Sequence, residues 1–249
     1  MNLVAVLFDI DGTLISSGGA GAASWRMAFD DLYGIPADIG EYTDAGMTEP
    51  EVGRLTFKNV IGHEPSRSEL ARVMSTRLHY LPRTVAESKN FRVLPGVVET
   101  LDRLGADGYL LGITTGGMEA AAHIKLARAN LNHYFCFGGY GSDSTDRAEL
   151  TRRALARAGT LLGERVDPQE ALVVGDTPHD VDAAHDVGAL AVGVATGHFT
   201  KDELRDAGAD HVLGSLEERI PLDASTRAQP HARAAHTPPS RPMPENQVG

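Results

Sequence analysis

Aspartates recur in two short segments that each follow an apolar run. The segment 9–14 (Asp-Ile-Asp-Gly-Thr-Leu) comes directly after the run 3–8, and the segment 175–180 (Gly-Asp-Thr-Pro-His-Asp) comes directly after 171–174. Carboxylates two residues apart in a crevice repel each other, so the first segment indicates a hard cation such as Mg²⁺, which prefers oxygen ligands. A plain turn or helix start would use the same residue types, so each segment alone leaves that alternative open.

A third segment, 113–117 (Ile-Thr-Thr-Gly-Gly), offers hydroxyl and backbone N–H groups at the end of another apolar run. Such groups ahead of a helix can bind phosphate oxygens. A threonine helix cap is the alternative for this segment alone. Thr115 is the better placed of the two threonines because it directly precedes the glycines.

Transfer of a phosphoryl group also needs positive charge close to the reacting atoms. Lys125 is the only one of the four lysines that lies between the third segment and the second aspartate segment. Arg147, at the start of the next predicted helix, is the rival for this role. We favour Lys125, but a solvated surface position is open for both side chains.

The elements that must position these residues alternate between buried strands and helices. Apolar runs at 3–8, 109–114, 171–174 and 190–194, with weaker ones at 134–137 and 210–213, predict strands. Helical patterns lie between them at 96–106, 117–130, 146–159, 178–187 and 200–207. This alternation predicts an α/β fold with a doubly wound parallel sheet, in which ligands bind at the carboxyl ends of the strands.

The interval from about 16 to 92 departs from this alternation. It shows helical periodicity at 22–33, 48–60 and 67–80 and no convincing buried strand, so we expect a helical insert after the first strand. A chain that crosses twice between two units can form a hinged cap. The segment from about 221 onwards is rich in proline and lacks periodicity, which favours disorder.

Composition limits the partners. The net charge of −11 and the absence of a Lys/Arg cluster argue against a nucleic-acid-binding protein. No window approaches 18 apolar residues, and the first residues lack the basic start of a signal peptide, so we expect a soluble cytoplasmic protein with no membrane partner. Cys136 is the only cysteine, which excludes an internal disulfide. The sequence leaves the oligomeric state unknown.

In their order along the chain, the aspartate, threonine, lysine and second aspartate segments resemble the four motifs of the haloacid dehalogenase superfamily of phosphotransferases. The resemblance covers roughly 1–16 and 93–216, implies a Rossmann-like core there, and makes 17–92 a helical cap and 217–249 a tail. Within the insert, 45–49 (Ala-Gly-Met-Thr-Glu) resembles the substrate-facing cap loop of phosphoglycolate phosphatase-like members. Met47 and Glu49 stand where the commoner pattern has a basic residue and an aspartate.

The resemblance implies a Mg²⁺-dependent phosphatase that hydrolyses a small phosphorylated metabolite through an aspartyl-phosphate. Asp9 is then the nucleophile and Asp11 the acid and base, with Thr115 and Lys125 holding the phosphoryl group. The implied metal ligands are Asp9, Asp11 through its backbone carbonyl, and Asp176, with Asp180 beside them. The implied phosphate- and substrate-binding residues are Gly12, Thr13, Thr48, Thr115, Gly116, Lys125 and Arg147.

Two other functions stay open from the sequence. A phosphomutase resembling β-phosphoglucomutase would use the same residues and return the phosphoryl group to a sugar phosphate. A phosphoacceptor signalling domain or a non-catalytic binding module would also use aspartate, Mg²⁺, threonine and lysine. Such domains are much shorter, and the large insert favours an enclosed substrate.

Overall fold

The computed structural model describes residues 3–222, which are built around a six-stranded parallel sheet. Its strands follow the order β5-β4-β1-β6-β7-β8. Their bounds are β1 Ala5–Phe8, β4 Leu110–Thr115, β5 Phe137–Tyr140, β6 Ala171–Gly175, β7 Leu190–Val194 and β8 His211–Leu213. Two further strands, β2 Ile15–Ser16 and β3 Arg92–Val93, pair antiparallel with each other. The expected doubly wound α/β fold is confirmed.

Helices cover both faces of the sheet. On the core they are α4 Val97–Ala106, α5 Glu119–Ala129, α6 Arg147–Leu162, α7 Pro178–Val187 and α8 Lys201–Asp206. The central strand β1 is buried throughout, and its alternate residues enter different hydrophobic clusters. Val6 and Phe8 pack on one side of the sheet, while Ala5 and Leu7 pack on the other. This burial on both faces explains why the strand reads as a continuous apolar run.

The insert consists of three helices, α1 Ala20–Tyr33, α2 Glu49–Ile61 and α3 Arg67–Glu87, with a 3-10 turn at Ile39–Glu41. They have a hydrophobic cluster of their own, which includes Trp25, Phe29 and Phe57. The two strands β2 and β3 form the stem of the insert, with Ile15 opposite Val93. A second cluster, containing Leu81, Val85 and Ala121, joins α3 to α5 of the core. We refer to this insert as the cap.

Three elements differ from the sequence predictions. The strand expected at 134–137 lies instead at Phe137–Tyr140, after a 3-10 turn at Asn132–Tyr134. The helix expected to end at 80 continues to Glu87 with Pro82 inside it, because Leu81 and Val85 are buried against the core. The junctions of the insert, expected to lack strands, carry the short β2 and β3 pair.

The chain remains packed beyond the last strand. Ile220, in the expected tail 217–249, is buried in the same hydrophobic cluster as Leu213 and Leu216. The rest of that expected tail, from 223 onwards, lies outside the described residues. Among residues 3–222, no helix combines the length and the apolar character that a membrane crossing requires.

Candidate active site

Three aspartates from distant parts of the chain converge at the carboxyl end of the sheet. Asp9 follows β1 and Asp176 follows the neighbouring strand β6, while Asp180 lies in the first turn of α7. Each offers a carboxylate oxygen, and the three oxygens lie within 4.8 Å of one another. All three residues are buried. Parallel strands that pair side by side end at the same edge, and this places Asp9 beside Asp176.

The start of α7 fixes the orientation of Asp180. Thr177 is the N-cap, and Asp180, three residues further on, completes a capping box with it. Oδ2 of Asp180 accepts hydrogen bonds from the backbone N–H of Thr177 at 3.0 Å and from its hydroxyl at 2.7 Å. Its other oxygen, Oδ1, remains available to the site and accepts from Arg147.

Glycines and hydroxyls around β1 and β7 hold Asp176 in place. The Thr13 hydroxyl donates to Asp176 Oδ1 at 3.2 Å. Gly12 has a φ of +89°, and a Cβ at this residue would collide with the Asp176 carboxylate. Gly197, in the loop after β7, approaches the same carboxylate so closely that a side chain is excluded there too. The neighbouring Thr196 donates to the carbonyl of Gly12 at 2.6 Å.

The three carboxylates carry more negative charge than the protein compensates. Burial, followed by the charge of Asp180, raises the pKa of Asp9 to about 7. Burial and the charge of Asp9 raise the pKa of Asp176 to about 8. The charge of Arg147 and a hydrogen bond from the Thr115 hydroxyl lower the pKa of Asp9, but they do not cancel the rise. Oxygen ligands with uncompensated negative charge suit a hard divalent cation such as Mg²⁺.

Two basic side chains enter the site from different helices. Lys125, on α5, places Nζ 2.5 Å from Oδ2 of Asp11. Arg147, the first residue of α6, binds Asp180 and places Nη2 3.8 Å from Oδ1 of Asp9. The two cations proposed as rivals from the sequence therefore both lie at the site. Arg147 is close to the carboxylates of Asp9 and Asp180, and Lys125 is close to that of Asp11.

The remaining predicted residues lie between the core and the cap. Thr115 ends β4 next to β1, is buried, and accepts a hydrogen bond from the N–H of Gly117 at 3.2 Å. The carbonyl of Gly116 accepts from the N–H of Glu49 in the cap at 2.8 Å. Thr48 is 2% exposed, and its hydroxyl has no hydrogen-bond partner among the described residues. The structure thus brings every residue proposed from the sequence to one region.

Comparison with known proteins identifies the family. The family model described as haloacid dehalogenase-like hydrolase matches residues 3–188. The chain belongs to this hydrolase family. The resemblance to the haloacid dehalogenase superfamily is thereby confirmed.

Curated relatives of this haloacid dehalogenase-like hydrolase are phosphatases by name. The probable phosphatase IndB of Dickeya dadantii is 28% identical over 226 residues, covering 86% of this chain and 91% of the relative. The phosphoglycolate phosphatase of Salmonella choleraesuis is 26% identical over 238 residues, with coverages of 88% and 92%.

Solved structures agree on the fold. A predicted phosphoglycolate phosphatase from Haemophilus somnus superimposes with a TM-score of 0.68 at 21% identity, covering 87% of this chain and 96% of its own. A putative β-phosphoglucomutase from Bacteroides vulgatus gives a TM-score of 0.65 at 23% identity, with coverages of 86% and 85%.

The hydrolase also contains site residues that the sequence did not single out. Arg77 of α3 is 1% exposed and binds both carboxylate oxygens of Glu49, with distances of 2.9 and 2.5 Å. Nothing in the helical pattern around Arg77 distinguishes it from a surface arginine. Thr196 and Gly197 were not singled out from the sequence either. Their position directly after the core strand β7 could have indicated them.

A cavity of about 310 Å³ opens beside Arg147, between residues 45–49 of the cap, which we call the cap loop, and the starts of α6 and α7. Its lining includes Met47 and Thr48 of the cap loop and His179 of α7. Gly46 closes one side, where its carbonyl accepts a hydrogen bond from Arg147 at 3.0 Å. Arg147 therefore connects the cap loop directly to the carboxylate cluster.

Proposed function

We propose that this hydrolase is a Mg²⁺-dependent phosphatase that acts on a small phosphomonoester through an aspartyl-phosphate at Asp9. Its catalytic centre is phosphoglycolate phosphatase-like. The observation that carries the proposal is the buried group of Asp9, Asp176 and Asp180 beside the Asp11–Lys125 pair. The phosphatase names of the curated relatives support the same reaction class.

The metal would be held by the carboxylates of Asp9 and Asp176 and by the backbone carbonyl of Asp11, with Asp180 beside them. When bound, Mg²⁺ supplies positive charge that offsets the repulsion between an anionic nucleophile and an anionic phosphate. Asp180 also holds Arg147 through its Oδ1. This contact orients the arginine toward the phosphate that Asp9 would attack.

In the first step, an oxygen of Asp9 forms a bond to phosphorus as the bond to the leaving oxygen breaks. Asp11, in its protonated form, gives a proton to that oxygen. In the second step a water attacks phosphorus and releases the Asp9 carboxylate, and Asp11 accepts the proton of that water. The contact of Lys125 with Asp11 can stabilise the carboxylate that the first step produces.

Arg147, Lys125 and Thr115 would bind the phosphoryl oxygens. Arg147 Nη2 lies 3.8 Å from the proposed nucleophile, so a phosphate attached there is within its reach. The Thr115 hydroxyl interacts with Asp9 as well, which places it beside the proposed nucleophile. Gly12 and Thr13 shape the opposite side of the site through Asp176.

Two other functions yield different observations. The similarity in fold to a putative β-phosphoglucomutase keeps a phosphomutase as the second candidate. A mutase would convert sugar phosphates without net release of phosphate. A phosphoacceptor signalling domain would instead retain its phosphate for long periods. We also propose a cytoplasmic location and a small-molecule substrate.

Phosphate release from acetyl phosphate, p-nitrophenyl phosphate and a panel of phosphorylated metabolites, with and without Mg²⁺, tests this function. Asp9→Asn should abolish release while the fold is retained, because an amide is a very poor nucleophile. Asp202→Asn is the matched control, since that carboxylate is 88% exposed and lies on α8, outside the described site. Full activity of Asp9→Asn, or turnover that ignores Mg²⁺, would refute the proposal.

A further inference from the structure

The cap loop facing Asp11 carries a carboxylate that is already fully engaged. Glu49 Oε2 accepts from Arg77 and, at 3.0 Å, from the backbone N–H of Met118, the residue that caps α5. Its Oε1 accepts from Arg77 and lies 3.9 Å from Nζ of Lys125. A single ammonium group therefore stands between the proposed acid, Asp11, and Glu49 of the cap.

This arrangement fills a position in which an anion could otherwise be bound. Arg77, Lys125 and the N–H of Met118 converge on one carboxylate, as they would on an anionic group of a ligand. Here the carboxylate belongs to the protein. A negatively charged leaving group could use these donors only by displacing Glu49.

The basic side chains at this junction are all paired. Arg77 is committed to Glu49, Lys125 to Asp11, and Arg147 to Asp180 and Asp9. Arg77 is too deeply buried to turn toward a ligand. Met47 in the cap loop lines the cavity beside Arg147 and contributes no charge to it.

The loop nevertheless offers one unused polar group. The Thr48 hydroxyl is buried without a partner in the described part of the chain, and Thr48 lines the same cavity. A buried hydroxyl without a partner is costly, and a ligand hydroxyl can donate to it or accept from it. Met47 beside it presents an apolar surface.

We propose that the leaving group of the natural substrate is uncharged and carries hydroxyl groups, and that Glu49 and Met47 exclude leaving groups with a carboxylate. The inference rests on the proposed phosphatase function and specifies its substrate class. A carboxylate placed between the cap loop and Asp11 would lose its water and meet the charge of Glu49, and none of the described cations at this junction is uncommitted. A hydroxyl group meets neither penalty and can bind Thr48.

Three small esters of similar size test this selectivity at neutral pH with saturating Mg²⁺. They are 2-hydroxyethyl phosphate, phosphoglycolate and phosphoethanolamine, whose leaving groups end in a hydroxyl, a carboxylate and an ammonium group. We expect kcat/KM for the hydroxyl ester to exceed that for phosphoglycolate at least about tenfold, because an interaction with a charged group is typically worth this factor or more. Similar values for these two esters, or a preference for phosphoethanolamine, would overturn the inference.

Substitution in the cap loop tests the cause of the selectivity. Met47→Lys adds a cation to the cavity lining on a side chain of similar length, and it should shift the ratio toward phosphoglycolate about tenfold or more. Leu161→Lys is the matched control, because Leu161 is 55% exposed and lies near the end of α6 that is opposite to Arg147. It should leave the ratio unchanged. An unchanged ratio in Met47→Lys would contradict the inference.

Glu49→Gln should shift the ratio in the same direction, since it removes the competing negative charge. If this variant fails to fold because Arg77 loses its partner, the wild-type ratio and Met47→Lys still decide. Acetyl phosphate separates the two proposals, because it carries neither a hydroxyl group nor a free carboxylate that the cap loop could select. Hydrolysis of acetyl phosphate without selectivity among the three esters would reject only the substrate class, whereas no hydrolysis of any ester with Mg²⁺ would reject the phosphatase function.

Discussion

The carboxylate cluster should make the stability of the metal-free protein fall as pH rises. The pKa of Asp9 is raised from its ordinary value of 3.8 to about 7, and that of Asp176 to about 8. A group whose pKa is higher in the folded than in the unfolded state stabilises the fold fully at low pH. This contribution is lost as pH rises toward the folded-state pKa. The window of loss therefore runs from about pH 4 to about pH 8.

The size of the effect follows from the pKa of Asp9. One pKa unit corresponds to about 1.4 kcal/mol, so the rise in the pKa of Asp9 to about 7 corresponds to about 4 kcal/mol in the free energy of unfolding. About 3 kcal/mol of this contribution is lost above about pH 5. Part of each rise comes from the charge of the other carboxylate, so the costs at Asp9 and Asp176 are not additive. In a chain of this size, ~3 kcal/mol corresponds to roughly 6–12 °C in melting temperature.

Thermal unfolding with EDTA, across a pH series from about 5 to about 8.5, measures this loss. Saturating Mg²⁺ should remove most of it, because the cation compensates the buried charge. Asp176→Asn should reduce the loss by more than half without metal, whereas Asp202→Asn, at an exposed carboxylate, should follow the wild-type curve. A metal-free protein whose melting temperature is flat in this range, or an Asp176→Asn curve that matches the wild type, would refute the reasoning.

Three further substitutions probe the groups around the cluster. Gly12→Ala forces a side chain into a left-handed conformation against the Asp176 carboxylate, so calorimetry should show loss of stability by at least about 1 kcal/mol together with weaker Mg²⁺ binding. Arg147→Lys keeps the charge, but a lysine cannot reach Asp180 and the carbonyl of Gly46 together. KM should therefore rise more than kcat falls, and an unchanged KM would argue against a role in phosphate binding. Thr13→Val removes the hydrogen bond to Asp176 and should weaken Mg²⁺ binding, which isothermal titration would detect, while an unchanged affinity would make that bond structural only.

Much of the catalytic centre was predictable because parallel strands end at one edge. Once 3–8 and 171–174 are taken as neighbouring strands, Asp9 and Asp176 must lie near each other. The place of Lys125 followed from chain order alone. The sequence could not decide between Lys125 and Arg147, because Lys125 lies within α5 and Arg147 begins α6, and each contacts a different carboxylate.

Other features depend on contacts that leave no local pattern. The strand β5 contains Gly138 and Gly139, which weaken its signal, yet Gly139 is required because the backbone of Leu150 in α6 packs directly on it. Pro82 signals the end of a helix, but burial of Leu81 and Val85 carries α3 past it. The pairing of Glu49 with Arg77 joins α2 to α3 across 28 residues and could not be read from either segment.

The proposed phosphatase mechanism depends most directly on a covalent phosphoenzyme at Asp9. A single turnover with acetyl phosphate and Mg²⁺, quenched in acid and digested at low pH, can be analysed for the phosphorylated peptide by mass spectrometry. We expect one phosphorylated peptide with the phosphate on Asp9, formed and lost at rates that match turnover, and none from Asp9→Asn. Phosphate attached to any other residue, or turnover with no phosphoenzyme at the earliest times, would contradict the account.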